Sequence, residues 1–115
     1  MTGFQLKRIY EPAEATDGYR ILIDRLWPRG IARNAARLDE WNKDIAPSTG
    51  LRKQFSHRRE YFDTFAAHYR EELQAKLPEL ARLRDLAKRQ RVTLLYAAKD
   101  EQMNHAIVLK DVLEG

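Results

Sequence analysis

The sequence predicts a single small α/β domain, in which helices flank a short, mostly parallel sheet. Three observations favour this class. The chain has 115 residues, a length typical of one domain. Residues 19–26 have a nearly continuous apolar centre and residues 92–98 are almost all apolar, which is typical of strands covered on both faces. Segments with helical spacing of apolar residues separate them, so we treat residues 1–115 as one domain.

The first half of the chain is predicted to form two or three strands. Residues 4–9 alternate apolar and polar side chains, which predicts a half-buried strand. Residues 19–26 predict a second strand, followed by a tight turn at Trp27-Pro28-Arg29-Gly30. Residues 31–47 fit two alternatives. Leu38, Trp41 and Ile45 have helical spacing, whereas a short strand around residues 38–41 fits the same stretch.

The second half is predicted to be mainly helical. Ser48 is placed to cap a short helix that reaches Phe55. Residues 58–76 carry an apolar stripe with helical spacing. Pro78 begins another helix at the favoured first position. After the strand at 92–98, we expect a last helix from about 101 to 113; the strand order is not predicted.

Several chemistries are excluded by composition and by absent motifs. The chain has no cysteine, which removes disulfides, thiolate metal sites and a cysteine nucleophile. It contains no GxGxxG, GxxxxGK or GxSxG motif, and its three histidines lack metal-ligand spacing. We therefore expect no metal and no cofactor.

A cytoplasmic location is expected from the apolar pattern of the chain. The first ten residues show no apolar signal region, and the longest unbroken apolar run has five residues. A membrane-spanning helix needs about 20. The lack of cysteine fits a cytoplasmic protein, and we expect no membrane partner.

Polar side chains are concentrated where the two buried strands end, which is where open α/β sheets bind ligands. The candidate site residues are Asp24, Arg25, Trp27 and Arg29 at one strand end, and Lys99, Asp100, Asn104 and His105 at the other. Arg25 and Arg29 are expected to hold an anionic small molecule, with Asp24 orienting Arg25. His105, with Asn104, is the candidate for polar contacts or acid–base catalysis, because imidazole exchanges protons near neutral pH.

The same residues also fit purely structural roles. Asp24 and Arg25 can form an internal ion pair, Asp100 is placed to cap the last helix, and His105 can bond to a backbone carbonyl. The sequence leaves open whether the site catalyses any reaction.

The charge distribution raises two other functions. The chain carries 21 basic and 17 acidic residues, a net charge of +4. The excess lies in residues 1–59, and the arginine-rich segment 20–37 is a candidate for binding nucleic acid. An exposed Trp27 or Trp41 would instead fit a protein-interaction module, although core positions are the other interpretation of these residues.

The motifs together resemble the YeaO-like proteins, small bacterial proteins within a larger family of domains of unknown function (DUF). The resemblance covers nearly the whole chain and rests on DRLWPRG at 24–30, LDEW at 38–41, APS at 46–48, LR at 51–52, VTLLYAAKD at 92–100 and NHA at 104–106. It implies a family and no particular activity.

One departure from the wider family limits what the resemblance implies. Its longer members resemble this chain but carry a cysteine in the second buried strand and Cys-His-Arg at the start of the last helix. The corresponding positions here are Tyr96 and Asn104-His105-Ala106. Thiol chemistry inferred for those relatives is therefore not implied for this chain, and only His105 is retained.

Overall fold

The computed structural model describes residues 3–55 and 58–115, which form four strands and four α-helices in an α/β domain. The strands are β1 (Gly3–Arg8), β2 (Tyr19–Leu22), β3 (Glu40–Trp41) and β4 (Arg91–Tyr96). The helices are α1 (Thr49–Phe55), α2 (Phe62–Gln74), α3 (Leu77–Arg89) and α4 (His105–Glu114). His57, one of the three histidines that lack metal-ligand spacing in the sequence, lies outside the described residues.

The four strands form one parallel sheet with the order β1-β4-β2-β3. Strand β4 is central, and Leu94 is in register with Leu6 on one side and Ile21 on the other. A parallel sheet with apolar central strands was predicted, and this prediction is confirmed. The carboxyl ends of β2 and β4 consequently lie side by side.

The ambiguous segment before α1 contains a short strand, so the helical alternative is wrong. Strand β3 pairs with β2, with Trp41 opposite Leu22. The Trp41 indole N–H donates to the carbonyl of Asp24 at 2.7 Å, and the backbone N–H of Asn42 donates to the carbonyl of Leu22 at 2.9 Å. These hydrogen bonds to β2 and the residues after it favour the extended conformation over a helix.

The two faces of the sheet are covered differently. All four helices contribute to the core on one face, where Ile21 and Leu94 pack with helix residues such as Leu73, Leu83 and Leu109. The other face packs its own smaller cluster against the irregular segment 27–41. That cluster consists of Ile9, Leu22, Ala36 and Leu95, with Trp27, Ile31, Leu38, Trp41 and Ala97 packed against it.

Both buried strands end earlier than predicted. Strand β2 ends at Leu22 rather than residue 26, and β4 ends at Tyr96 rather than residue 98. Side chains take over the hydrogen bonding there, since the carboxylate of Asp24 accepts from the amide of Ala97 at 2.9 Å. The following turn lies at Arg29 and Gly30, where Gly30 has a φ of +81° that glycine adopts without strain.

The helix boundaries are partly as predicted. The hydroxyl of Ser48 accepts from the amide of Leu51 at 3.2 Å, which confirms its capping role. The long helix starts as a short 3₁₀ turn, Arg59–Tyr61, and continues as α2. Pro78 is the second residue of α3 rather than the first. Helix α4 begins at His105, four residues later than predicted.

A buried ion network lies under the loop that joins β1 to β2, and it consists of Lys7, Asp17 and Arg20. The ammonium of Lys7 is 3.0 Å from one carboxylate oxygen of Asp17, and the guanidinium of Arg20 is 2.5 Å from the other. Arg20 also donates to the carbonyls of Ala36 and Arg37. All three charged residues are buried, so this network anchors the loop and segment 27–41 to the sheet.

Candidate functional site

A cleft of about 660 Å³ opens at the carboxyl ends of β2 and β4, and we refer to it as the strand-end cleft. The eight predicted site residues, from both strand ends, all line it: Asp24, Arg25, Trp27, Arg29, Lys99, Asp100, Asn104 and His105. Further lining residues include Tyr10, Leu26, Arg52, Phe55 and Phe65. The position agrees with the general location of ligands in open α/β sheets.

Asp24 and His105 form the link between the two strand ends. The Nε2 atom of His105 is 3.0 Å from the carbonyl oxygen of Ile23 and 3.0 Å from the Oδ1 atom of Asp24. A carbonyl oxygen only accepts, so Nε2 carries the proton and donates it to Ile23. No hydrogen bond from the described residues reaches the buried Oδ1 atom, so its contact with the imidazole is electrostatic.

Arg25 is held by backbone rather than by Asp24. Its Nε and one terminal nitrogen donate to the carbonyls of Pro47 and Ala46 at 3.0 and 3.2 Å. The expected orientation of Arg25 by Asp24 is therefore wrong, because Asp24 contacts Ala97 and His105 instead. Arg25 ties the end of β2 to the segment before α1 and so fixes one wall of the cleft.

Trp27 forms part of the scaffold on the same side. Its indole N–H donates to the carbonyl of Ile31 at 2.7 Å, and its ring packs edge-on against Trp41 with the centroids 5.1 Å apart. The guanidinium of Arg33 lies over both rings, at 4.2 and 5.0 Å from their centroids. Both tryptophans are half-buried and pack on the second face of the sheet, in agreement with the interpretation as core residues.

The residues before α4 act as a turn and a cap. Asn104 is the cap of α4: its side-chain oxygen accepts from the amide of Ile107 at 3.1 Å, and its amide donates to the carbonyl of Asp100 at 2.9 Å. The predicted capping role of Asp100 is wrong, because its carboxylate accepts from the amides of Gln102 and Met103. Those two hydrogen bonds lower the pKa of the Asp100 carboxyl below its ordinary value.

Three cations of the strand-end cleft have no partner among the described residues, and we refer to them as the three free cations: Arg29, Arg52 and Lys99. Within the described part of the chain, none of their side chains forms a hydrogen bond or an ion pair. Arg29 and Lys99 are exposed, and Arg52 is half-buried on α1. Arg52 was not among the predicted site residues, and the Leu51-Arg52 pair of the YeaO-like pattern is the sequence signal that points to it.

The electrostatic balance of the cleft is positive. Arg25 and the three free cations face two carboxylates, Asp24 and Asp100, which leaves an excess of two positive charges when His105 is neutral.

Beneath the cleft, the hydroxyl of Tyr69 donates to the carbonyl of Ile45 at 2.6 Å. Burial, together with the charges of Glu72 and Asp24, raises the pKa of Tyr69 well above its ordinary value, so this phenol remains a donor.

Tyr96, the last residue of β4, and Asn104, the cap of α4, are neighbours. Tyr96 is buried, and burial raises the pKa of its phenol. A hydrogen bond with the side chain of Asn104 acts in the opposite direction. Tyr96 and Asn104 therefore place the end of β4 beside the cap of α4.

The arginine-rich segment 20–37 does not present all its arginines to solvent. Arg20 belongs to the buried ion network, Arg25 binds two carbonyls, and Arg33 lies over the tryptophan pair. Arg29, Arg33 and Arg37 are exposed. No cluster of three or more His, Asp or Glu side chains with the arrangement of a metal site occurs in residues 3–55 and 58–115. In the same residues, no helix has the length and apolar character required to span a membrane.

Comparison with known proteins gives a family for the chain. Residues 3–115 match the family described as "Inactive DUF488-N3 subclade". The uncharacterised protein YeaO of Escherichia coli (strain K12) is 54% identical over 113 residues, covering 98% of each chain. The uncharacterised protein Rv3073c of Mycobacterium tuberculosis (strain ATCC 25618 / H37Rv) is 42% identical over 114 residues, covering 99% of this chain and 96% of the relative.

No solved structure shows a significant match to the chain. The predicted resemblance to the YeaO-like proteins is confirmed by the family match and by both relatives. The chain belongs to the DUF488-N3 subclade that is described as inactive, and within it to the YeaO-like proteins.

Proposed function

We propose that this protein binds an anionic small molecule in the strand-end cleft, through Arg29, Arg52 and Lys99. The observation that carries the proposal is that these three cations line one cleft without a partner among residues 3–55 and 58–115, while other arginines nearby are bonded to the protein. Charged groups that have no protein partner are available for a ligand, and arginine's planar fork suits phosphate or carboxylate oxygens.

The remaining cleft residues support binding by holding the walls in place. Arg25, Asn104 and Asp100 are each fixed by two hydrogen bonds to or from the backbone. A site whose walls are already ordered loses less entropy when a ligand binds. We therefore assign Arg25 to the framework and the three free cations to the anion.

The proposal is limited to binding without turnover. The family description as inactive and the absence of cysteine favour this limit. In neutral His105 the Nδ1 atom is the basic nitrogen, because Nε2 donates to Ile23. If the protein did convert a bound anion, the Nδ1 atom of His105 would be the group that accepts a proton.

The alternatives receive less support. A nucleic-acid surface built on segment 20–37 would need arginines that are bonded within the fold, Arg20 and Arg25 among them. A protein-interaction role for Trp27 or Trp41 competes with their packing and hydrogen bonds. The proposed setting is the bacterial cytoplasm, supported by the bacterial relatives and the lack of cysteine.

The proposal is tested by titrating the protein with inorganic phosphate at low salt, followed by amide NMR shifts and by calorimetry. We expect saturable binding with shifts at residues 97–100, and we expect Arg29→Gln/Lys99→Gln to weaken it by about tenfold or more. The reason is that each lost charge-assisted hydrogen bond costs about 1.5–3 kcal/mol.

The matched control is Lys88→Gln/Arg89→Gln, which removes the same charge from the last turn of α3. Those residues precede the amino-terminal end of β4, whereas the cleft lies at the carboxyl ends of the strands, so they are at the opposite end of the sheet. The control should bind phosphate as the wild type does. Equal losses in both double variants would show a nonspecific charge effect. Absence of saturable binding in the wild type, both of inorganic phosphate and of small organic phosphates and carboxylates, would refute the proposal.

A further inference from the structure

We infer that the anion held in the strand-end cleft carries an apolar body, so that the ligand is a small organic phosphate or carboxylate and not an inorganic ion. This inference rests on the proposed function, because it describes the ligand of the same cleft. It depends on three features: the size of the cleft, its exposed apolar rim and its aromatic wall.

The cleft is too large for an inorganic anion alone. Its volume of about 660 Å³ lies within the range of about 300–1,000 Å³ that is typical of sites for drug-sized ligands. The three free cations account for only part of the lining. A ligand that fills the site must therefore extend beyond its anionic group.

The rim of the cleft exposes apolar surface. In the described part of the chain, four large hydrophobic side chains are exposed, and two of them, Leu26 (61%) and Tyr10 (43%), line this cleft. A single exposed hydrophobic residue is ordinary on a protein surface. Two of them beside the same cationic cleft indicate a surface that an apolar ligand group covers.

Tyr10 is held in place by its own contacts, and the chain on both sides of Leu26 is anchored. The hydroxyl of Tyr10 donates to the carbonyl of Arg29 at 2.8 Å, and the guanidinium of Arg8 lies 5.0 Å from the centre of its ring. Leu26 lies between Arg25 and Trp27, whose side chains are both bonded to backbone carbonyls. The apolar rim is therefore an ordered part of the cleft.

The interior wall continues the apolar surface. Phe55 and Phe65, both in the lining, stack with their ring centres 4.5 Å apart. The cleft thus combines unpaired cations with aliphatic and aromatic surface. An ion with an apolar body gains from both, whereas an inorganic ion contacts only the cations.

The test compares ligands that carry the same anionic group on different bodies. Calorimetric titrations use inorganic phosphate, glycerol phosphate and phenyl phosphate, with glycerate and benzoate as the carboxylate pair. We expect the apolar member of at least one pair to bind about tenfold tighter than its polar counterpart, since covering apolar area is favourable. Leu26→Asn should reduce this ratio severalfold.

The matched control is Leu77→Asn, because Leu77 is also exposed (53%) but is not part of the cleft lining. This control should leave every affinity unchanged. If phosphate binds while neither apolar ligand is favoured, or if Leu26→Asn leaves the ratio unchanged, the inference is overturned and the proposed function stands. Absence of binding by all five anions would contradict the proposed function itself.

Discussion

Two cation-rich regions of this molecule use their charges in opposite ways. In the buried ion network, Lys7 and Arg20 share the carboxylate of Asp17, and Arg20 binds two carbonyls as well. In the strand-end cleft, Arg29, Arg52 and Lys99 have no partner in the described part of the chain. Both regions belong to one small domain, so the difference shows that position in the fold decides whether a cation stabilises the protein or remains available.

The pKa values of the network reflect this pairing. Burial disfavours the charged forms of Asp17 and Lys7, but hydrogen bonds and opposite charges outweigh it. The pKa of Asp17 is lowered as a result, and that of Lys7 is raised. The network is therefore fully charged at neutral pH.

The largest expected effect is the loss of Asp17. We predict that Asp17→Ala lowers the free energy of unfolding by about 3–5 kcal/mol, because it leaves Lys7 and Arg20 as buried charges without their carboxylate. Urea denaturation measures the change. A loss below about 1 kcal/mol would mean that the buried charges find other partners.

Acid should weaken the network selectively. The pKa of Asp17 is lower in the folded protein than its ordinary value of 3.8, so the stabilisation is present above about pH 4 and is lost as the pH falls below it. We expect the unfolding free energy to decline in that range, and Asp17→Asn to show a shallower decline. Equal slopes in both proteins would assign the acid sensitivity to other carboxyls.

Arg25 lines the cleft but is bonded within the fold, as the cations of the buried ion network are. We predict that Arg25→Ala lowers the unfolding free energy by about 1–3 kcal/mol, because the carbonyls of Ala46 and Pro47 lose their donor. Urea denaturation is again the measurement. Unchanged stability together with lost phosphate binding would place Arg25 among the cations that contact the ligand.

The smallest expected effect on stability belongs to the free cations. Arg29→Gln and Lys99→Gln should each change the unfolding free energy by no more than about 0.5 kcal/mol, because both side chains are exposed and unpaired. Thermal and urea denaturation both measure it. A loss above 1 kcal/mol in either variant would show that these cations also have a structural role.

Sequence patterns alone predict the α/β fold class, and they place the candidate site at the strand ends. The apolar segments predict a mostly parallel sheet, since side chains buried on both faces need an interior sheet, whereas the pairing of β2 with β4 is known only from the structure. Ligands of open α/β sheets bind beyond the carboxyl ends of the strands, and this rule was used to choose the eight candidate residues. All eight line one cleft in the structure.

The roles of the individual residues were harder to predict. Arg25 and Arg29 have the same predicted role, which is to hold the anion. Only Arg25 donates to the carbonyls of Ala46 and Pro47, and this contact depends on the tertiary fold. Asp100 and Asn104 are both good caps, and the turn after β4 decides between them. Arg52 was missed because it lies on a helix distant in sequence from both strand ends.

The central claim is that the free cations of the strand-end cleft hold an anion, and Arg52 tests it most directly because its only assigned role is in this cleft. The measurement is the calorimetric affinity of Arg52→Gln for inorganic phosphate at low salt, beside its urea denaturation. We predict about tenfold weaker binding with an unfolding free energy within about 0.5 kcal/mol of the wild type. Unchanged affinity in a stably folded variant would contradict the claim.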